Sequence, residues 1–207
     1  MPKNSLEGLP EAFISNAATK SAVSRALAQG RIRQIATKLY TFNLDDPPEQ
    51  IVRRSLWELV AAFAPKALIA DRTAIENRPA ADGSIFVISD RKRDLELPGI
   101  IIRSRSGAAP LNSDRPFIGG LYLSSTARAF LDNMVASRKR GGVVSRTLTR
   151  VEIEARLDDV IRRGGTDGLN ALRDEAKRIA PLIGRIKEFA ALDRLIGALL
   201  GTREDRL

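Results

Sequence analysis

Between Thr19 and Phe42 the chain reads TKSAVSRALAQGRIRQIATKLYTF, and Gly30 divides that stretch into two kinds of periodicity. Before it, Lys20–Gln29 sorts at 3.6 residues per turn. Ala22, Val23, Ala26 and Leu27 fall on one face, and Lys20, Ser21, Ser24, Arg25 and Ala28 on the other. Thr19 is placed to cap this helix through its hydroxyl, and Gly30 to end it, because glycine readily takes the left-handed conformation of helix C-termini. After it, Arg31–Ala36 and Lys38–Phe42 are short β-prone runs close enough to pair as a hairpin. A helix followed by such a hairpin predicts the recognition helix and wing of a winged helix-turn-helix. Leu9–Asn16 is expected to supply one helix ahead of it.

Charge gives that pattern a chemical direction. From residue 20 to residue 38 there are five cations (Lys20, Arg25, Arg31, Arg33, Lys38) and no acid. A basic, hydroxyl-rich face is ordinary on a solvated surface helix, but the acid-free succession of helix, glycine and hairpin favours double-stranded DNA as the partner. Cations supply the phosphate contacts that dominate affinity, and short polar side chains can reach base edges in the major groove. Ser21, Ser24 and Arg25 are therefore expected to face the groove. Lys20, Arg31, Arg33 and Lys38 are expected to track phosphates, with the wing near the minor groove.

Composition narrows the chemistry further. The chain has 207 residues, a formal net charge of +9, and neither cysteine nor histidine. That rules out disulfides, thiolate or histidine metal sites and any histidine-based triad, so no enzyme, metal or cofactor is expected. Cysteine-free composition is compatible with a reducing cytoplasm, the expected location. No apolar run is long enough to span a bilayer, so no membrane partner is expected.

The expected fold class is α+β in three parts: a winged helix over residues 1–44, a mixed α/β domain over 45–138 and a helical region over 139–207. Asp46-Pro47-Pro48-Glu49 predicts a helix start with Asp46 as N-cap, running to Pro65 and carrying Trp57 as a packing residue. Ala67–Ala70, Ile85–Ile88, Ile100–Arg105 and Phe117–Leu123 read as strands, and Ser124-Ser125 as the cap of a further helix. Arg138-Lys139-Arg140-Gly141-Gly142 marks a joint. Thr149 and Glu152 then form a capping box, and Gly164-Gly165-Thr166 breaks the helix that it opens. Arg162–Gly168 lacks the Lys-Ser/Thr pair and preceding strand of a phosphate loop, so it is read as a helix–helix turn. The acids of 152–159 alternate with Arg150, Arg156 and Arg162 as pairs on a solvated face. Arg128 and Asp132, one turn apart, are expected to pair structurally. Arg91-Lys92-Arg93, Arg103 and Arg105 are read as edge-strand charges. The last helix, through Leu200, carries an apolar stripe of Phe189, Leu192, Leu195, Ile196 and Leu199 that must pack on something.

Three segments carry a resemblance. AVSRALAQGRIRQIATKLYT (Ala22–Thr41) is similar to a recognition helix and wing ending in a Gly-Leu-Tyr or Gly-Val-Tyr step. LIADRTAIE (Leu68–Glu76) is similar to a strand-to-helix segment with a Ser-Ala-Leu core, and GLYLSSTARAFLD (Gly120–Asp132) to a Thr-Ser-x-x-Arg-Thr-Leu-x-Asp segment. In this order they resemble the AbiEi-type antitoxins of type IV toxin–antitoxin systems, over about half the chain. The resemblance implies a DNA-binding transcriptional autoregulator with an antitoxin role. Lys38 stands where such wings carry glycine, so the hairpin tip is expected to differ. LDRLIGALLGT (Leu192–Thr202) further resembles the segment that joins similar N-terminal regions to a Fic AMP-transferase domain. The catalytic histidine and Gly-Asn-Gly-Arg run of that domain are absent. The alternative reading is a protein-interaction module restraining a toxin or Fic domain, motivated by the apolar stripe of the last helix. A homodimer is expected if the operator is an inverted repeat.

Overall fold

The computed structural model describes residues 6–137 and 143–204, with side chains through 201, so Arg138–Gly142 and the joint expected there lie outside the described residues. The N-terminal unit is β1 (Ala12–Ile14), α1 (Lys20–Ala28), β2 (Arg33–Ala36) and β3 (Leu39–Thr41). Its strands form an antiparallel sheet in the order β1-β3-β2, with Ala12 opposite Thr41 and Gln34 opposite Tyr40. The hairpin is therefore present. Leu9–Asn16, expected as a helix, instead contains β1. Among the described residues the unit thus carries one helix ahead of the hairpin, not the pair that a helix-turn-helix takes.

The small sheet is apolar on both faces, as strand alternation dictates. Phe13 and Tyr40 turn toward α1, with Val23, Ala26 and Ile32. Ala12, Ile14 and Leu39 turn the other way, into a core shared with α2 (Pro48–Arg54) and α3 (Leu56–Phe63). These two replace the single helix expected up to Pro65, with a break at Ser55 (φ −94°, ψ 17°). Asp46 does not cap α2, because Pro47 holds that position. The Asp46 carboxylate instead accepts from Arg54 at 2.6 Å and from the Asn43 amide at 3.1 Å. Trp57 meets Phe117 edge to face at 5.2 Å, a packing role.

The second sheet is mixed, in the order β6-β7-β5-β4-β9-β8. It comprises β4 (Leu68–Ile69), β5 (Ser84–Ile88), β6 (Leu95–Leu97), β7 (Ile100–Arg105), β8 (Arg115–Pro116) and β9 (Tyr122–Leu123). β5 is buried along its whole length and runs parallel to β7, with Phe86 opposite Arg103. Phe117–Leu123 is not one strand. Gly119 (φ 67°) and Gly120 (φ 77°) turn it through a short 3-10 helix before β9. One face of this sheet packs on α2 and α3, while α4 (Asp71–Glu76) lies along β5 and against α5 (Thr126–Asn133).

Ser125 caps α5 by accepting the Arg128 N–H, and Thr149 and Glu152 form the expected box at the start of α6 (Arg150–Ile179). α6 is interrupted at Gly165, whose φ of 63° and ψ of −160° lie where L side chains are strained. The surface pairs on α6 form, including Arg150–Glu154 at 2.8 Å and Arg156–Asp159 at 3.5 Å. The stripe on α7 (Ile186–Glu204) finds its partner within the chain. Leu192, Leu195 and Ile196 are buried in one cluster with Ala127, Phe130 and Leu131 of α5 and with Ile153, Leu157 and Leu172 of α6. The chain is α+β with a helical C-terminal third. Its two main apolar clusters run across the sequence divisions at 44/45 and 138/139. No helix among the described residues is long and apolar enough to cross a membrane.

A buried ionic network joins the sheet to the helices. Arg128, 1 % exposed, donates to Asp114 at 2.6 Å and to the carbonyls of Ala108 and Ala109 at 2.6 and 3.0 Å. Its expected partner Asp132 lies farther off, at 3.9 Å. That pair forms as expected, and Asp132 also meets Arg105 at 3.1 Å and Arg185 at 3.2 Å. Arg105 also forks onto Asp71 with two 2.8 Å bonds. Burial pushes the Asp71 carboxyl up, against the pull of Arg105. Arg103, likewise, spans Ser84 at 2.8 Å and Asp94 at 3.2 Å, and Arg91 lies 5.5 Å over the Phe63 ring. These cations serve the fold.

Candidate nucleic-acid interface

α1 sits on an aromatic bed. The Phe13 ring lies 6.1 Å from Tyr40 and 5.4 Å from Phe42. Ala22 and Ala26 are small enough to bring the helix close, and Val23 fills the remaining space. Its entry is organised by Asn16, not by Thr19 as expected. Asn16 Oδ1 accepts the N–H groups of Ala18 (2.9 Å) and Thr19 (3.1 Å), while the Thr19 hydroxyl accepts the Asn16 N–H at 3.0 Å. The exit follows the glycine rule. Gly30 has φ 65°, its N–H reaches the Leu27 carbonyl at 3.0 Å, and the Arg31 N–H reaches that of Ala26 at 3.0 Å.

With that seating, Lys20, Ser21, Ser24 and Arg25 all point to solvent from one face of α1. Arg25 lies in the last turn, where the helix dipole favours a cation, and its Nε reaches the Ser21 carbonyl at 3.5 Å. Arg31 is exposed, its Nε held by Gln29 Oε1 at 2.9 Å. Gln29 is thus a positioning residue that periodicity did not single out, although its place one residue before the stop could have suggested it.

Arg33 departs from the rest. Its Nε donates to the Asn43 carbonyl at 2.9 Å and its NH2 group donates to that of Asp46. The guanidinium thereby ties β2 to the loop before α2, away from the face that α1 presents. The signal was faint: Asn43 and Asp46 are 10 and 13 residues onward.

Lys38 occupies the tip of the β2–β3 hairpin with φ 62° and is exposed. The tip residue is in the left-handed conformation that glycine adopts freely, and a lysine bears the strain. Left-handed backbone costs an L residue roughly 1–2 kcal/mol. Lys38→Gly should leave stability to urea unchanged or slightly higher. In a salt titration of DNA binding it should reduce the slope of log K by about 0.9, the share of one phosphate contact. A less stable variant would show that Lys38 holds the hairpin together.

Comparison with family models, with curated proteins and with solved structures gives no match. The functional reading rests on the geometry and on the resemblance.

Proposed function

We propose that this protein binds double-stranded DNA through α1 and the β2–β3 hairpin, acting as a transcriptional autoregulator with an antitoxin role. The observation that carries the reading is the outward face of Lys20, Ser21, Ser24 and Arg25, held from behind by Phe13, Val23 and Ala26 and free of acids. Ser21, Ser24 and Arg25 read base edges, while Lys20, Arg31 and Lys38 meet phosphates. Arg33 supports the hairpin from behind. The third strand, β1, braces that hairpin in the manner of a wing. The antitoxin role rests on the resemblance over Ala22–Thr41, Leu68–Glu76 and Gly120–Asp132.

The test is fluorescence anisotropy of the full chain with its own upstream duplex and with a scrambled duplex, across a range of salt. Lys20, Arg31 and Lys38 make three candidate phosphate contacts, so log K should fall with log salt at a slope of about −2.7. The native duplex should bind more tightly than the scrambled one. Equal, weak and salt-abolished binding to both would defeat the proposal. The alternative, a module restraining a toxin or a Fic domain, loses the stripe that motivated it, because Leu192, Leu195 and Ile196 pack on the protein's own helices.

A further inference from the structure

The β2–β3 hairpin carries a second kind of donor beside its cations. In the N-terminal sheet Phe13, Tyr40 and Gln34 lie in one row across β1, β3 and β2, with Phe13 opposite Tyr40 and Tyr40 opposite Gln34. Ile32, two residues before Gln34, packs with Phe13, Val23 and Ala26 under α1, so strand alternation turns Gln34 to the α1 side of the sheet. Arg33 and Ile35 turn to the other side, Arg33 to the loop before α2 and Ile35 to the main core. Burial falls along the row: Phe13 is buried, Tyr40 half-buried and Gln34 exposed. The helix therefore covers one end of the row and leaves the other open beside it.

Both side chains at the open end are held in place. The Tyr40 ring stacks on Phe13 at 6.1 Å. Gln34 Nε2 donates to the Ala36 carbonyl at 3.0 Å, across the irregularity in register between the two residues. An amide nitrogen carries two N–H groups, so one stays available. The Tyr40 hydroxyl has no hydrogen-bond partner among the described residues, although a phenol drawn into a protein usually finds one. No acid occurs between Lys20 and Leu44. The sheet edge beside α1 thus offers two neutral donors on directly opposite residues, whose Cβ atoms lie roughly 4.5–5.5 Å apart in such pairs.

A helix seated in the major groove has a sugar–phosphate strand along each side, so groups standing beside it meet phosphate oxygens before base edges. We propose that Tyr40 and Gln34 clamp one backbone phosphate of the bound duplex, each donating one hydrogen bond. The clamp rests on the DNA-binding reading of α1. To that reading it adds contacts that set the helix in register yet carry no charge, so they release no counterion and leave the salt dependence as it is.

Fluorescence anisotropy of the full chain with the native and scrambled duplexes, across a range of salt, tests the pair. Tyr40→Phe/Gln34→Ala should weaken both duplexes by the same factor, roughly fivefold or more, with the slope of log K unchanged. The melting temperature should stay close to wild type, since phenylalanine keeps the ring on Phe13 and Gln34 is exposed. Gln34→Lys should steepen the slope by about 0.9, the share of one added phosphate contact. No binding by the unaltered chain removes the DNA reading and the clamp together. Where the unaltered chain binds, undiminished affinity in the double variant removes the clamp alone. A loss confined to the native duplex would mean that the pair reads bases, and an unchanged slope in Gln34→Lys that no phosphate lies there. Either result overturns the assignment.

Discussion

Arg128→Ala should destabilise the protein by roughly 3–5 kcal/mol, the usual consequence of removing one partner from a buried ion pair. The side chain is 1 % exposed and ties α5 to the 108–114 loop through Asp114 and the carbonyls of Ala108 and Ala109. Its loss leaves the Asp114 carboxylate buried, served only by the N–H groups of Leu111 (2.8 Å) and Ser125 (2.9 Å). For a chain of this size each kcal/mol moves the melting temperature by roughly 2–4 °C, so a fall of about 10 °C is expected in a thermal melt. Arg128→Lys should recover little, because an ammonium cannot span a carboxylate and two carbonyls as a planar fork does. Adding Asp114→Asn to Arg128→Ala should recover part of the loss by removing the stranded charge. A shift below about 1 kcal/mol for Arg128→Ala would mean that water replaces the guanidinium, and the network would then have no structural weight.

The second large effect concerns DNA. If Arg25 makes a bidentate contact with a base edge, Arg25→Ala should cost on the order of 1–3 kcal/mol of specific binding, roughly 5- to 150-fold. The loss should be unequal between duplexes: large on the native sequence, small on the scrambled one. Substituting Lys20 or Lys38 should instead weaken both duplexes alike and flatten the salt dependence. Stability should be unaffected in all three, since each side chain is exposed. An Arg25→Ala protein that retains the full preference for the native duplex would remove Arg25 from the reading face and leave Ser21 and Ser24 as its candidates.

Local patterns were legible in the sequence, and tertiary competition was not. The 3.6-residue period placed Lys20, Ser21, Ser24 and Arg25 on one exposed face, and the capping box at Thr149 and the break at Gly165 form where their residues predict. Leu9–Asn16 misled because β1 is three residues long and its partner is nearly thirty residues onward, Ala12 opposite Thr41. Asp46 had the right chemistry for a cap, but Arg54 and Asn43 compete for the same carboxylate. Arg33 looked like its neighbours in composition, and only the folded loop supplies the two carbonyls that hold it. Arg128 pairs with the acid one turn away as its spacing predicts, whereas its closer partner, Asp114, comes from the preceding loop.

Ala12, Ile14 and Leu39 belong to the same core as Leu59 and Ile102, so the small sheet that carries α1 has no swivel of its own. In the proposed complex, a poor fit to the duplex cannot be absorbed by tilting the reading helix on a hinge. The distortion falls on the DNA, whose stiffness varies with base sequence. A fixed mount of this kind makes the protein a gauge of how readily a duplex bends, and would add preference at positions that no side chain touches.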